Sequence, residues 1–241
     1  MAGLDWLTAR PIAHRGLHDA ANGVIENTGS AFSAAIAGGY GIECDLQLSA
    51  DGEAMVFHDD TLDRLTEGHG AVASREAATL KTIAFKNTSD RMLRLEELCD
   101  LVGGRVPLLL ELKSHFDGDV RLASRVAEVL QGYAGPVAGM SFDPALIRAL
   151  QREAPGLPRG LVAQSRRDEA VPVGRARYVR NAFRARPHFL AWSVRDLTRF
   201  WPLLGRWGFG LPLLTWTVRT DKDRLRAQRW ADQMIFEGFR P

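Results

Sequence analysis

Cysteine is scarce in this 241-residue chain. Its two copies, Cys44 and Cys99, are too few for a disulfide framework and stand in no metal-ligand spacing. No run of about 18 apolar residues occurs, so no segment is expected to span a membrane. The opening Met1–Arg10 has neither the basic start nor the apolar stretch of a secretion signal. No Gly-x-Gly-x-x-Gly follows the first apolar run, and no Gly-x-x-x-x-Gly-Lys-[Ser/Thr] loop is present. The usual dinucleotide and nucleoside-triphosphate cradles are therefore missing. The arginines of Arg175–Arg186 come with no nucleic-acid motif and read as a solvated helix surface. These absences predict a reduced, cytoplasmic, soluble protein that acts on a small molecule, without nucleic acid or a transmembrane segment.

Hydrophobic residues make up 46% of the chain and charged residues 25%, the mix of an ordinary globular protein. The length suits one large domain, residues 1–241, able to bury its own core. The net charge of +2 conceals a division. Residues 1–120 carry 10 Lys/Arg against 19 Asp/Glu, a net of −9, and residues 121–241 carry 21 against 10, a net of +11.

Nine short apolar runs rich in branched residues recur: 11–14, 41–48, 54–58, 106–112, 136–142, 160–163, 189–194, 212–218 and 233–236. Runs of this length and character read as covered strands. Helical spacing lies between most of them. Phe32, Ala35 and Ile36 share a face within 28–37, with Asn27 or Thr28 able to cap it and Gly38 able to end it. Leu122, Val126 and Leu130 do the same within 120–130, and Leu146, Ile147 and Leu150 within 144–152. Asp196 is placed to cap a helix through Phe200, Leu203 and Leu204, in which Trp201, Leu204 and Trp207 would pack on the strand beneath. Ser49-Ala50-Asp51-Gly52 is too short for a helix and carries the Asp-Gly hairpin signal. Setting that hairpin partner aside leaves eight strands alternating with helices. The pattern predicts an α/β fold, a TIM (β/α)8 barrel with a short β-hairpin insertion after the second strand.

Polar residues cluster where the first four strand segments end: His14-Arg15-Gly16, Glu43-Cys44-Asp45, His58-Asp59 and Glu111-Leu112-Lys113. In a barrel the strand ends converge on the face that carries active sites. Glu43 and Asp45 are two apart, so a strand points both to one side. Carboxylates that close stay ionised only beside a cation. Three carboxylates without a His/Cys cluster suit magnesium or calcium better than zinc. His14 and His58 are candidates for taking and giving protons near neutral pH, and Arg15 and Lys113 for neutralising phosphate oxygens. A single such pair would more often be a salt-bridged strand end; three at successive ends favour a site. His115 and His18 are weaker candidates for the rim, and His69 reads as a turn residue. Ser141 lacks the second glycine of a hydrolase elbow. Trp216 stands near the end of the seventh barrel strand, as core or as a wall for the substrate's alcohol.

In this order, these residues resemble the glycerophosphodiester phosphodiesterase family. The likeness runs through Ala13-His14-Arg15-Gly16, Glu26-Asn27-Thr28, Glu43-Cys44-Asp45, Asp51-Gly52, Val56-Phe57-His58-Asp59, Leu62-Asp63-Arg64, Glu111-Leu112-Lys113, Ser141-Phe142 and Trp216-Thr217-Val218. It covers nearly the whole chain. The resemblance implies a TIM barrel, one divalent ion and hydrolysis of glycerophosphodiesters to glycerol 3-phosphate and an alcohol. By position, Glu43, Asp45 and Glu111 match its metal ligands, His14 and His58 its acid–base pair, and Arg15 and Lys113 its phosphate contacts. In the family picture the glycerol 2-hydroxyl attacks phosphorus first, and water then opens the cyclic phosphate.

The chain departs from the family pattern at several points. Glu237-Gly238-Phe239-Arg240-Pro241 replaces a closing Thr-Asp-x-Pro, Ser49 stands where Thr is common, and Leu65 follows Arg64. The segment after His58 reads as short. A last barrel helix after the final strand is missing, and the N-terminus is the expected substitute. Two other readings stay open at this stage: a lyase that releases a cyclic phosphate, and a barrel that binds phosphodiesters or lipid head groups without turnover.

Overall fold

The computed structural model describes residues 3–164 and 182–241. Its strands are β1 Ile12–Ala13, β2 Gly41–Leu48, β3 Ala54–Val56, β4 Leu108–Leu112, β5 Val137–Ser141, β6 Arg159–Ala163, β7 Phe189–Ser193, β8 Leu213–Val218 and β9 Gln233–Phe236. Each coincides with one of the nine apolar runs. β1 pairs in parallel with both β2 and β9, so the sheet closes on itself. Eight parallel strands form the ring. β3 lies outside it, antiparallel to the second half of β2, with Val56 opposite Leu46 and Ala54 opposite Leu48. The expected barrel with a hairpin after its second strand is what forms.

The helices are α1 Asp5–Thr8, α2 Gly29–Ala37, α3 Ala77–Thr82, α4 Leu95–Val102, α5 Arg121–Leu130, α6 Pro144–Glu153, α7 Phe200–Leu203 and α8 Asp221–Trp230. Thr28 occupies the N-cap of α2. Asp143 caps α6, accepting from the Ala145 amide at 2.8 Å, with Pro144 in the first turn.

Period-two alternation sorts the strand side chains into layers. Ile42, Cys44 and Leu46 of β2 and Leu108, Leu110 and Leu112 of β4 face the helices, together with Leu95, Leu98 and Val126. The barrel interior is filled by Ile12, Leu109, Ala138, Met140, Val162, Phe189, Ala191, Leu214 and Ile235. What remains on the inward side of β2 and β4, nearer the C-terminal ends, is polar: Glu43, Asp45, Gln47 and Glu111, all buried.

Four local expectations change. First, α1 does not serve as an outer barrel helix. Its Leu7 joins the interior cluster, and Gln233 Nε2 donates to the Thr8 carbonyl at 2.8 Å, so it closes the barrel floor. The outer side of β9 is covered by aromatics instead, with Phe236 against Tyr40 and Phe239 at centroid distances of 5.0 and 5.6 Å. Second, the excursion after β3 is not short. Residues 57–94 enclose a satellite core of Phe57, Leu62, Val72, Leu80, Phe85 and Met92, closed by Ile25. Third, Asp196 does not cap α7. It belongs to a 3-10 turn, Val194–Asp196, and pairs with Arg199, the residue preceding α7, at 2.8 Å. Fourth, Trp201 and Trp207 do not pack on the barrel. They are 53% and 61% exposed, while Pro202 and Gly205 face inward. Of the arginines in 175–186, Arg184 and Arg186 are described and the others lie outside the described residues.

Candidate active site

The register between β2 and β4 sets Asp45 opposite Glu111. Because Glu43 and Asp45 alternate inward together, the three carboxylates meet. One oxygen from each lies within 4.8 Å of the others. Two cations compensate part of this charge. Lys113 Nζ donates to Asp45 Oδ1 at 2.8 Å and to Glu111 Oε1 at 2.6 Å. Arg15 Nε lies 3.3 Å from Asp45 Oδ2, and its Nη1 donates to Glu26 Oε1 at 2.7 Å.

The loop after β1 is held in an unusual conformation. Arg15 has φ 57° and Gly16 φ 79°. A Cβ on Gly16 would stand 2.9 Å from the Ala31 backbone, so only glycine fits there. The turn is fastened by the Arg15 amide donating to Glu43 Oε2 at 2.9 Å and by the Asn27 amide donating to the Arg15 carbonyl at 2.9 Å. A non-glycine residue at positive φ next to buried carboxylates is the kind of strain that functional sites retain. Asn27, also at positive φ, donates through Nδ2 to Asp45 Oδ2 at 2.9 Å and fixes that carboxylate's rotation.

The electrostatics divide the carboxylates. Burial raises the Glu43 carboxyl well above its ordinary value, and repulsion from Asp45 and Glu111 adds to that. Burial also opposes ionisation of Asp45, but Lys113 and Arg15 outweigh it and hold Asp45 below its ordinary range. Burial disfavours the Lys113 ammonium, yet Asp45 and Glu111 raise it overall. Glu43 Oε1 is buried and has no hydrogen-bond partner. A hard divalent cation fits this set: three convergent oxygen donors, one of them an orphaned buried lone pair, and a carboxylate that burial alone would neutralise.

Both histidines reach the same rim, by different routes. His14 follows β1 directly, and its Nε2 stands 4.0 Å from Glu43 Oε2. His58 follows β3, which runs opposite to the ring, so its place does not follow from the strand-end rule. The hairpin climbs above the rim and returns, and the Phe57 amide bonds the Asp45 carbonyl at 3.0 Å. Gln47 Nε2 pins the His58 carbonyl at 3.1 Å. Each imidazole has its Nδ1 on a carboxylate, His14 on Glu237 at 2.8 Å and His58 on Asp59 at 2.7 Å. A carboxylate accepts, so Nδ1–H donates and Nε2 is the nitrogen left without that proton.

Glu237, Glu26 and Asp59 are the partners that hold this constellation, and reading the sequence alone did not assign them roles. Glu237 stands one residue beyond β9, as His14 stands one residue beyond β1. Burial opposes its ionisation, but the bond from His14 and the nearby Arg219 bring it down to about 2. Arg64 ties Glu26 to Asp59, with Nη2 at 2.7 Å from Glu26 Oε1 and Nε at 2.6 Å from Asp59 Oδ2. Trp216 is half-buried, edge-on to Phe142 at 5.5 Å, and donates to the Ala191 carbonyl at 3.3 Å. His18 borders the site, 3.9 Å from Glu237 Oε1. His115 is exposed, and His69 pairs with Asp63 in its turn at 3.0 Å. Ser141 spends its hydroxyl on the Leu112 carbonyl at 2.7 Å.

Comparison with known proteins points the same way. A glycerophosphodiester phosphodiesterase of Caldanaerobacter subterraneus is 34% identical over 163 residues, which cover 64% of this chain and 66% of that protein. A putative glycerophosphodiester phosphodiesterase of Bacillus subtilis is 27% identical across 90% of this chain and 89% of its own length. Among solved structures, a phosphodiesterase of Oleispira antarctica, in complex with the product sn-glycerol-3-phosphate, shares the fold at a TM-score of 0.79 and 22% identity. That match covers 95% of this chain and 94% of the other. A putative glycerophosphoryl diester phosphodiesterase of Silicibacter pomeroyi superposes at a TM-score of 0.77 with 25% identity, over 94% and 89% of the two chains. Residues 14–239 match the sequence profile of the glycerophosphoryl diester phosphodiesterase family, and the chain belongs to that family.

Proposed function

We propose that the protein hydrolyses glycerophosphodiesters to glycerol 3-phosphate and an alcohol, with His14 and His58 as the acid–base pair. One observation carries this reading: two imidazoles, each held at Nδ1 by its own carboxylate, stand beside a buried carboxylate triad and two cations. Glu43, Asp45 and Glu111 would hold a divalent ion, with magnesium or calcium matching the oxygen donors. Such an ion would supply Lewis-acid neutralisation of phosphate oxygens.

The chain's own groups do the rest. Arg15, steadied by Glu26, and Lys113 face the non-bridging phosphate oxygens. One imidazole Nε2 takes the proton of the glycerol hydroxyl as its oxygen bonds phosphorus, while the other protonates the departing alkoxide; water, deprotonated in turn, then opens the cyclic phosphate to glycerol 3-phosphate. Glu237 and Asp59 stabilise whichever imidazole is charged. Trp216 and Phe142 offer an apolar wall to the alcohol portion. A reducing compartment such as the cytoplasm suits the two buried, unpaired cysteines.

Purified protein with magnesium or calcium is expected to release glycerol 3-phosphate from glycerophosphocholine or glycerophosphoethanolamine, and chelator to stop it. His14→Ala or His58→Ala should each lower kcat by about 10² to 10⁴. Full activity in either variant would sink the acid–base assignment. A cyclic glycerol phosphate as the end product would replace hydrolysis by lyase chemistry. No turnover with metal present would leave a binding barrel.

A further inference from the structure

The large hydrophobic side chains that stand exposed among the described residues are confined to one stretch: Phe183, Phe200, Trp201, Trp207, Phe209 and Leu225. Four of them belong to α7, the π turn Leu204–Gly208 that continues it, and the residue after. The cause is local packing. A Cβ on Gly205 would stand 2.2 Å from Leu190 Cδ1, so the backbone there rests on the Leu190 side chain of β7. Pro202 and Gly205 take the buried side of this turn, and the aromatic rings stand on the outer side.

Cations accompany the rings. The Arg206 guanidinium sits 5.8 Å over Trp207, and Arg229 sits 5.3 Å over Trp230, which packs on Trp207 at 5.9 Å. Phe209 meets Phe183 at 6.4 Å. Phe183 in turn lines a cleft of about 420 Å³ with Arg148, Gln151, Arg152, Arg184 and Arg186. Among the described residues no carboxylate pairs with Arg148, Arg184 or Arg186. Residues 182–241 hold 11 Lys/Arg against 5 Asp/Glu.

We propose that this face docks the protein on an anionic phospholipid bilayer, with the aromatic rings entering the interface and the arginine-lined cleft receiving lipid phosphates. Exposed aromatics rimmed by cations match the polar–apolar boundary of a negatively charged leaflet. An exposed apolar patch of this kind marks a contact surface. Charge decides against a second copy of the chain, because a symmetric interface would set arginines against arginines. None of the docking-face residues is among those that form the carboxylate cluster, so the proposal stands or falls independently of the hydrolase reading.

The test is flotation of the full chain with phosphatidylglycerol–phosphatidylcholine vesicles and with pure phosphatidylcholine vesicles, at low and high salt. Binding should require phosphatidylglycerol, weaken with salt, and shift tryptophan emission to the blue. Trp201→Ser together with Trp207→Ser should lower vesicle affinity about tenfold or more. Arg184→Glu together with Arg186→Glu should do the same by charge alone, and serves if the aromatic variant fails to fold. Both variants should keep wild-type turnover of water-soluble glycerophosphocholine. Absence of binding, equal binding to both vesicle types, or wild-type binding by the arginine variant would overturn the proposal. So would a stable dimer that the tryptophan substitutions dissociate and that ignores vesicles.

Discussion

Glu237 is where a single side chain matters most beyond the residues the sequence singled out. It grips His14 Nδ1 and is itself gripped by Arg219 at 2.8 Å. Glu237→Gln keeps the size but loses the charge that steadies a protonated imidazole. It should lower kcat by about 10- to 100-fold with little change in KM, because the group orients a proton carrier without touching substrate. Its pH signature has a definite sign. The folded-state value falls from 4.5 to about 2, so the carboxylate's contribution to stability is complete above pH 4.5 and is lost as pH falls through 2. Urea unfolding of wild type and Glu237→Gln should therefore differ most above pH 4.5 and converge toward pH 2. A gap that stays constant across that window would exclude the ionised bond. The strand-end residues His14, Glu43, Asp45 and Glu111 were readable because each carries its chemistry on a local apolar run. The partnership of His14 with Glu237 was not, because it joins residues 223 apart across the closure of the barrel.

Among the elements, β2 shows how one strand serves two masters. Its even-numbered residues bind the helix layer, and its odd-numbered ones, Glu43, Asp45 and Gln47, build the site. This alternation is a property of the sequence, and it was legible there. The excursion 57–94 was not, since its apolar residues lack the regular spacing of a long helix or strand. Phe57, Leu62, Leu80 and Phe85 only declare themselves as a cluster once folded. That satellite core supports the loop carrying His58 and Asp59. Leu80→Ala, at a fully buried position, should cost about 2–5 kcal/mol in urea unfolding. It should also lower activity more than a change of equal cost at the barrel floor. Equal activity losses would detach the satellite core from the site. α7 is the opposite case: three-residue spacing of aromatics suggested an inward face, but Gly205 brings the backbone too close for it.

At the level of the whole molecule, the charge division acquires a structural meaning. The proposed metal-binding carboxylates, histidines and phosphate-facing cations lie in the half with a net of −9, while Phe142, Trp216, Arg219 and Glu237 come from the half with a net of +11. The acidic excess is in part the site itself, where three buried carboxylates meet. A divalent ion that binds only the folded protein should therefore stabilise it. At a hundredfold excess over Kd the gain is about 2.7 kcal/mol, a rise in Tm of about 5–10 °C for a protein of this length. Differential scanning calorimetry with calcium or magnesium, reversed by chelator, reads this directly. Glu43→Gln should abolish most of the rise, and an unchanged rise would remove Glu43 from the ligand set. Residues 182–241 contribute 11 Lys/Arg against 5 Asp/Glu to the basic excess, and the exposed aromatics stand in the same stretch.

By itself the sequence determined the strand order, the hairpin and the barrel class, because period-two and helical spacing are local and survive any reading frame of the fold. It also determined which carboxylates share a side of a strand. Tertiary structure alone decided what lies beside them. The parallel register put Asp45 opposite Glu111, the antiparallel return of β3 lowered His58 to the rim, and ring closure brought Glu237 to His14. Each of these depends on pairing between distant segments, whose partners no local periodicity specifies. The outward turn of Trp201 and Trp207 belongs there too, since it follows from how closely Gly205 approaches Leu190.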